Sequence, residues 1–214
     1  MKRGLILLAL AVGAAAPASA QLLGMPVWNS PKGGSGITIS GDYGKPDNNS
    51  GGGGAFGLRG DLRLGTLNVG LGWDTYKPSG ATTSLSSIGA NVAFRVIGGS
   101  LVPLAVNLQG GIAKTSCTGC NSLTTATAAV GISVNIPSPG ISIEPYVSPG
   151  LRYTKISGGT GATNFGFALG ANVGFGMVGV HIAYDYTKIK ASLGGGHSSV
   201  LGIGAHVALK VPGL

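Results

Sequence analysis

The sequence predicts an all-β fold, an up-and-down antiparallel transmembrane β-barrel of ten strands with eight as the alternative, and three observations lead there. Apolar residues alternate with small or polar ones at a period of two through about ten successive segments, the signature of strands with one apolar face. Charged residues make up 9% of the chain, where soluble domains average about 25%, so much of the surface does not face water. The connections between segments alternate in length, short at one end and long at the other.

The chain opens with Lys2 and Arg3, an apolar run from Leu5 to Ala16, and Pro17-Ala18-Ser19-Ala20. This has the charged, apolar and small-residue regions of a secretory signal peptide, 1–20, leaving Gln21 at the mature N-terminus. The run is too short to span a bilayer as a helix, and no later stretch reaches 18 apolar residues uninterrupted, which excludes a helical membrane protein. Residues 21–34 form an N-terminal extension and 35–214 the barrel, a single domain.

Strands are predicted at 35–43, 55–64, 67–76, 85–97, 102–114, 125–136, 141–154, 163–175, 179–189 and 199–211. Gly65-Thr66, Gly98-Gly99-Ser100, Pro137-Ser138-Pro139-Gly140 and Gly176-Met177-Val178 make short turns, with longer loops near 44–54, 77–84, 115–124, 155–162 and 190–198. The 41 glycines follow no collagen-like period and sit inside the alternating segments.

Each strand divides into two faces, as a barrel in lipid requires. Phe56, Leu58, Leu62 and Leu64 oppose Arg59, Asp61 and Arg63; Leu67, Val69, Leu71 and Trp73 oppose Asn68, Gly70, Gly72 and Asp74. Ile88, Ala90, Val92 and Phe94 oppose Gly89, Asn91, Ala93 and Arg95, and the last strand sets Leu201, Ile203, Val207 and Leu209 against Gly202, Gly204, His206 and Lys210. A soluble barrel would need a densely charged outer face; the Gly, Ala, Asn and Ser of the second face suit a narrow lumen instead. Phe56, Trp73, Tyr153, Phe165 and Tyr186 fall on the apolar face close to long loops, as an interfacial girdle, with Phe94 and Phe175 near the short turns.

These features resemble the small single-chain outer-membrane β-barrel proteins of Gram-negative bacteria, the class of adhesin-like, surface-protection and OmpA-like barrels. The resemblance covers nearly the whole mature chain and lies in pattern, not in a diagnostic motif. It implies Sec-dependent export to the outer membrane and contact with its lipid, with lipopolysaccharide or another surface ligand as a possible partner of the loops. Members commonly end the last strand on an aromatic residue, whereas this chain ends Leu209-Lys210-Val211-Pro212-Gly213-Leu214.

The net charge of +8 falls by 2 to +6 when Lys2 and Arg3 leave, and the remaining basic residues are scattered without interleaved aromatics, which argues against nucleic acid. Arg59, Asp61, Arg63, Asp74, Arg95, Glu144, Arg152, Asp185 and Lys210 are read as lumen charges that pair with one another, because an isolated charge there is costly; Arg59 is expected diagonal to Asp74. The pairing reads as a closing network, with a selectivity lining as the alternative. His181 and His206 face the lumen close together, but Asp185 lies about 13 Å along the strand, too far to complete a metal site. Cys117 and Cys120, in Cys-Thr-Gly-Cys at a loop tip, lack the further ligands of a zinc site and the context of a redox motif, so an intraloop disulfide is expected. Asp47, His197, Ser198 and Ser199 lie in the long loops without the spacing of a base, nucleophile and orienting acid, and no cofactor motif is present. The functional expectation is a non-enzymatic structural or surface-interaction barrel with a largely closed lumen, the alternative a narrow pore for small solutes.

Overall fold

The computed structural model describes residues 22–99, 102–116, 119, 121–190 and 195–211. The expected signal peptide, 1–20, and both Cys117 and Cys120 lie outside the described residues. The strands are β1 (Gly34–Pro46), β2 (Gly54–Gly65), β3 (Leu67–Lys77), β4 (Leu85–Gly99), β5 (Val102–Ser116), β6 (Leu123–Val134), β7 (Ile136–Ser138), β8 (Ile141–Ile156), β9 (Gly161–Phe175), β10 (Val178–Lys188) and β11 (His197–Leu209). β7 continues β6 past Asn135, and both pair with β8, so the staves number ten. The eight-stranded alternative is set aside.

Every neighbouring pair is antiparallel, and pairing of β1 with β11 (Ile37 opposite Leu209, Tyr43 opposite Ile203) together with β6 with β8 closes the sheet. Closure leaves no edge with unpaired backbone groups, the condition for a sheet in hydrocarbon. The predicted faces hold: in β2 Phe56, Leu58, Leu62 and Leu64 are exposed while Asp61 is buried, and in β3 Leu71 and Trp73 are exposed while Asp74 is buried. An apolar outside and a buried polar inside reverse the soluble pattern, as lipid requires. A bulge in β4 between Arg95 and Ile97 leaves Val96 and Ile97 both exposed.

The extension does not trail away from the barrel. Residues 22–33 run through the lumen from the long-loop end to the short-turn end, where a turn closed by the Gly33 amide donating to the Ser30 carbonyl feeds β1. Leu22, Met25, Val27 and Asn29 are buried, with Pro26 and Pro31 among the most enclosed side chains. Irregular backbone at membrane depth survives only where protein groups satisfy it. Here Val27 N–H donates to Asp185 at 3.3 Å, Lys32 N–H to Glu144 at 2.8 Å, and the Asn29 carbonyl accepts from Asn172 at 2.9 Å.

Wall glycines make the room. A Cβ at Gly44 would strike the Gly24 carbonyl, one at Gly131 the Asn29 amide, and one at Gly202 the Pro26 ring. The small residues of the inner face thus accommodate a second chain segment inside the barrel.

Candidate functional site

The site is the lumen itself, assembled where the N-terminal segment meets the inner faces of the strands. Glu144 on β8 has no exposed surface and accepts from Ser30 Oγ (2.8 Å), Lys32 N–H (2.8 Å), Ser133 Oγ (2.9 Å) and Asn172 Nδ2 (3.1 Å), with Lys32 Nζ at 3.9 Å. Arg95 donates to the Lys32 carbonyl. Higher in the bore Asn29 exchanges amide hydrogen bonds with Asn107 and donates to Ser148 at 2.9 Å. Asp185 receives Arg152 Nη2 at 3.1 Å as well as the Val27 amide. Carboxylates on β8 and β10 therefore hold the segment by its own backbone, through N–H donors that only a change to proline would remove.

A second cluster runs across β2, β1, β10 and β11. Arg59 Nε lies 2.6 Å from Asp42 Oδ2 and its Nη1 3.7 Å from Asp61; Asp42 Oδ1 lies 2.6 Å from His181 Nε2, and His181 Nδ1 lies 3.1 Å from His206 Nδ1. Trp28 of the segment stands edge-on to His181 with ring centroids 4.5 Å apart and carries Arg59 over its face at 5.3 Å. With the carboxylate at Nε2, the proton of a neutral His181 sits there, and His206 Nδ1–H donates to Nδ1. Asp42 and His206 occupy opposite edges of the His181 ring, so they do not converge on one point as metal ligands must. Among the described residues no hydroxyl or thiol is hydrogen-bonded to either imidazole.

The predicted lumen charges fall into three groups. Arg59, Asp61, Glu144, Arg152 and Asp185 make ion pairs. Asp74, fully buried opposite Ser87, and half-buried Arg63 and Arg95 form no ion pair among the described residues, Arg95 donating instead to the Lys32 carbonyl. Arg59 turns to Asp42 on β1, not to the Asp74 expected on β3, although both stand diagonal to it, across from Gly57 while Ser40 and Gly72 face Arg59. Lys210 lies one residue past the end of β11 at Leu209 and is exposed, with no ion pair among the described residues. Asp42 was missed by sequence reasoning, although Thr38, Ser40 and Asp42 alternate with outward Ile37, Ile39 and Tyr43 and carried the same signal.

At the loop end the fold brings together Asp47, His197, Ser198 and Ser199, which sequence spacing alone left scattered. Asp47 caps the short 3-10 turn Asn48–Ser50: its Oδ1 accepts from the Ser50 amide (2.8 Å) and hydroxyl (2.5 Å), its Oδ2 from Ser199 Oγ (2.7 Å), and His197 Nε2 lies 3.8 Å away. Burial acts to raise the Asp47 pKa, but the hydrogen bonds from Ser50 and Ser199 outweigh it and hold the carboxyl below its ordinary range. Among the described residues the Ser50 and Ser199 hydroxyls donate to the carboxylate and not to the imidazole. The arrangement ties the first loop to the start of β11.

A closed ten-stave antiparallel barrel with an apolar outer belt and a polar lumen defines the class, a transmembrane β-barrel of the outer-membrane type. No family model matches the chain, and no curated protein matches it in sequence. Among solved structures it is similar to a bacterial polysaccharide outer membrane secretin (11% identity, TM-score 0.48, 74% of this chain), of which it spans only 57%. It is also similar to the β domain of the Bordetella autotransporter BrkA (13% identity, TM-score 0.49, 83% of this chain and 100% of that one) and to the outer membrane enzyme PagL (12% identity, TM-score 0.43, 80% and 99%). At these levels the likeness carries no statement about activity, and the class rests on the topology and the two faces.

Proposed function

We propose that the protein is exported by the Sec route, loses residues 1–20, and sits in the outer membrane of a Gram-negative-type bacterium as a largely closed barrel with its long loops outside. Its role is structural or surface-interacting and not enzymatic, with outer-membrane lipid around its belt and lipopolysaccharide or another surface ligand as the class of partner its loops would meet. The observation that carries the closed reading is the passage of residues 22–33 through the bore, with Glu144, Asp185 and Asn107 gripping it. A segment held by charged hydrogen bonds and packed against wall glycines supports a plug over a selectivity lining.

Planar-bilayer recording of the mature protein and of a variant lacking residues 22–31 tests this. The mature protein is expected to stay silent while the deletion gives steady conductance steps. Steady steps in the mature protein that disappear on neutralising Arg63 would favour the narrow pore and overturn the proposal.

A further inference from the structure

The N-terminal segment separates two chambers of unlike chemistry. The one at the short-turn end, about 530 Å³, is lined by Arg59, Asp61, Arg63, Asn91 and other polar groups. The one at the long-loop end, about 390 Å³, is floored by Leu22, Leu23 and Met25 of the segment and walled by Tyr76, Leu123 and Ile156. The Tyr76 hydroxyl is committed to the Ser50 and Gly52 carbonyls at 2.9 Å each, so this residue offers the chamber its ring. Arg152 is the charged side chain in the lining; Asp185 neutralises it at 3.1 Å, and its guanidinium is almost wholly enclosed. Thr154 supplies a hydroxyl to the lining.

An apolar hollow open toward water is costly to leave unfilled, and its size falls in the lower part of the range of small-molecule sites, roughly 300–1,000 Å³. We infer that this chamber binds an uncharged, mainly aliphatic or aromatic small molecule carrying a hydrogen-bonding group. The apolar body rests on Leu23, Leu123 and Ile156, and the polar group meets the Thr154 hydroxyl. A cation finds no carboxylate among the described residues of the lining and would lose its hydration there. The inference does not depend on whether the barrel conducts, since the chamber lies on one side of the segment whatever happens below it.

The test uses the mature protein in lipid nanodiscs with N-phenyl-1-naphthylamine, an uncharged probe that brightens in apolar surroundings, and subtracts the signal of protein-free discs. One saturable site per barrel is expected, displaced by 1-octanol and not by glucose. Leu23→Asp, which lies ahead of the strands and leaves their pairing intact, should weaken the probe at least tenfold, and Thr154→Trp, filling the hollow from the wall, should do the same. Folding of both variants is checked by the mobility difference between unheated and heated samples. No saturable signal above empty discs, or unchanged affinity in both folded variants, would overturn the inference. Displacement by glucose as effective as by octanol would overturn it too.

Discussion

Replacing Glu144 by Leu should release the lower half of the N-terminal segment. The carboxylate holds two of the segment's donors, Ser30 Oγ and Lys32 N–H, at 2.8 Å each. Hydrogen bonds to a charged group contribute about 1.5–3 kcal/mol apiece, so their loss costs roughly 3–6 kcal/mol of docking free energy. At about 1.4 kcal/mol per tenfold, the docked-to-released ratio falls by roughly 10² to 10⁴. Because Glu144 has no exposed surface, solvent does not screen these bonds in the docked state. The Lys32 ammonium at 3.9 Å is one-third exposed and adds little. Trp28 and Trp73 are the two tryptophans, the first in the bore and the second on the lipid face. In a Trp73→Phe background, iodide quenching of Trp28 therefore reports access of water to the segment. Quenching should rise severalfold in Glu144→Leu and bursts of conductance should appear, with Glu144→Gln, which keeps an acceptor oxygen, in between. If the leucine variant folds, as shown by gel mobility, and both readouts stay at the parent level, then Glu144 does not hold the segment and the energetic reasoning fails.

Val92→Asp should impair folding into lipid vesicles more than Asn91→Asp, by roughly 1–3 kcal/mol, because Val92 shares the outer face with Ile88 and Phe94 while Asn91 lines the polar chamber; the reverse order in the mobility assay would place β4 in the opposite facing. The Asp47 carboxyl, with its folded pKa below the ordinary value of 3.8, stabilises the first loop fully above that value and loses its hold as the pH falls through the lower folded one. Protection of the Ser50 amide, measured as hydrogen exchange relative to the intrinsic rate at each pH, should accordingly fall on acidification below about pH 4, and Asp47→Ala should cost about 0.5–2 kcal/mol locally at neutral pH and remove the acid response. Cys117 and Cys120 are expected to form one intraloop disulfide, so alkylation without reductant followed by mass spectrometry should find neither thiol modified; two alkylated thiols would place the loop in a reducing compartment.

The sequence by itself determined the barrel and the facing of its strands. The period of two in Leu67–Trp73 or Leu201–Leu209 is a local property of extended chain, and lipid outside with protein inside admits one orientation of each face. Predicted and observed strand ends differ by at most about three residues, and the largest departures lie at long loops, where alternation fades before pairing does. The tertiary structure alone decided what fills the lumen. Residues 22–33 carry two prolines and no periodicity, so nothing local distinguishes a buried segment from a trailing one; their burial follows from closure of β1 on β11 around them and from glycines contributed by β1, β6 and β11. Partner choice among the charges was likewise non-local. Arg59 could reach either Asp42 or Asp74 from its place on β2, and the His181 ring on β10, brought beside Asp42 only when the barrel closes, joins Asp42 and Arg59 in one buried cluster.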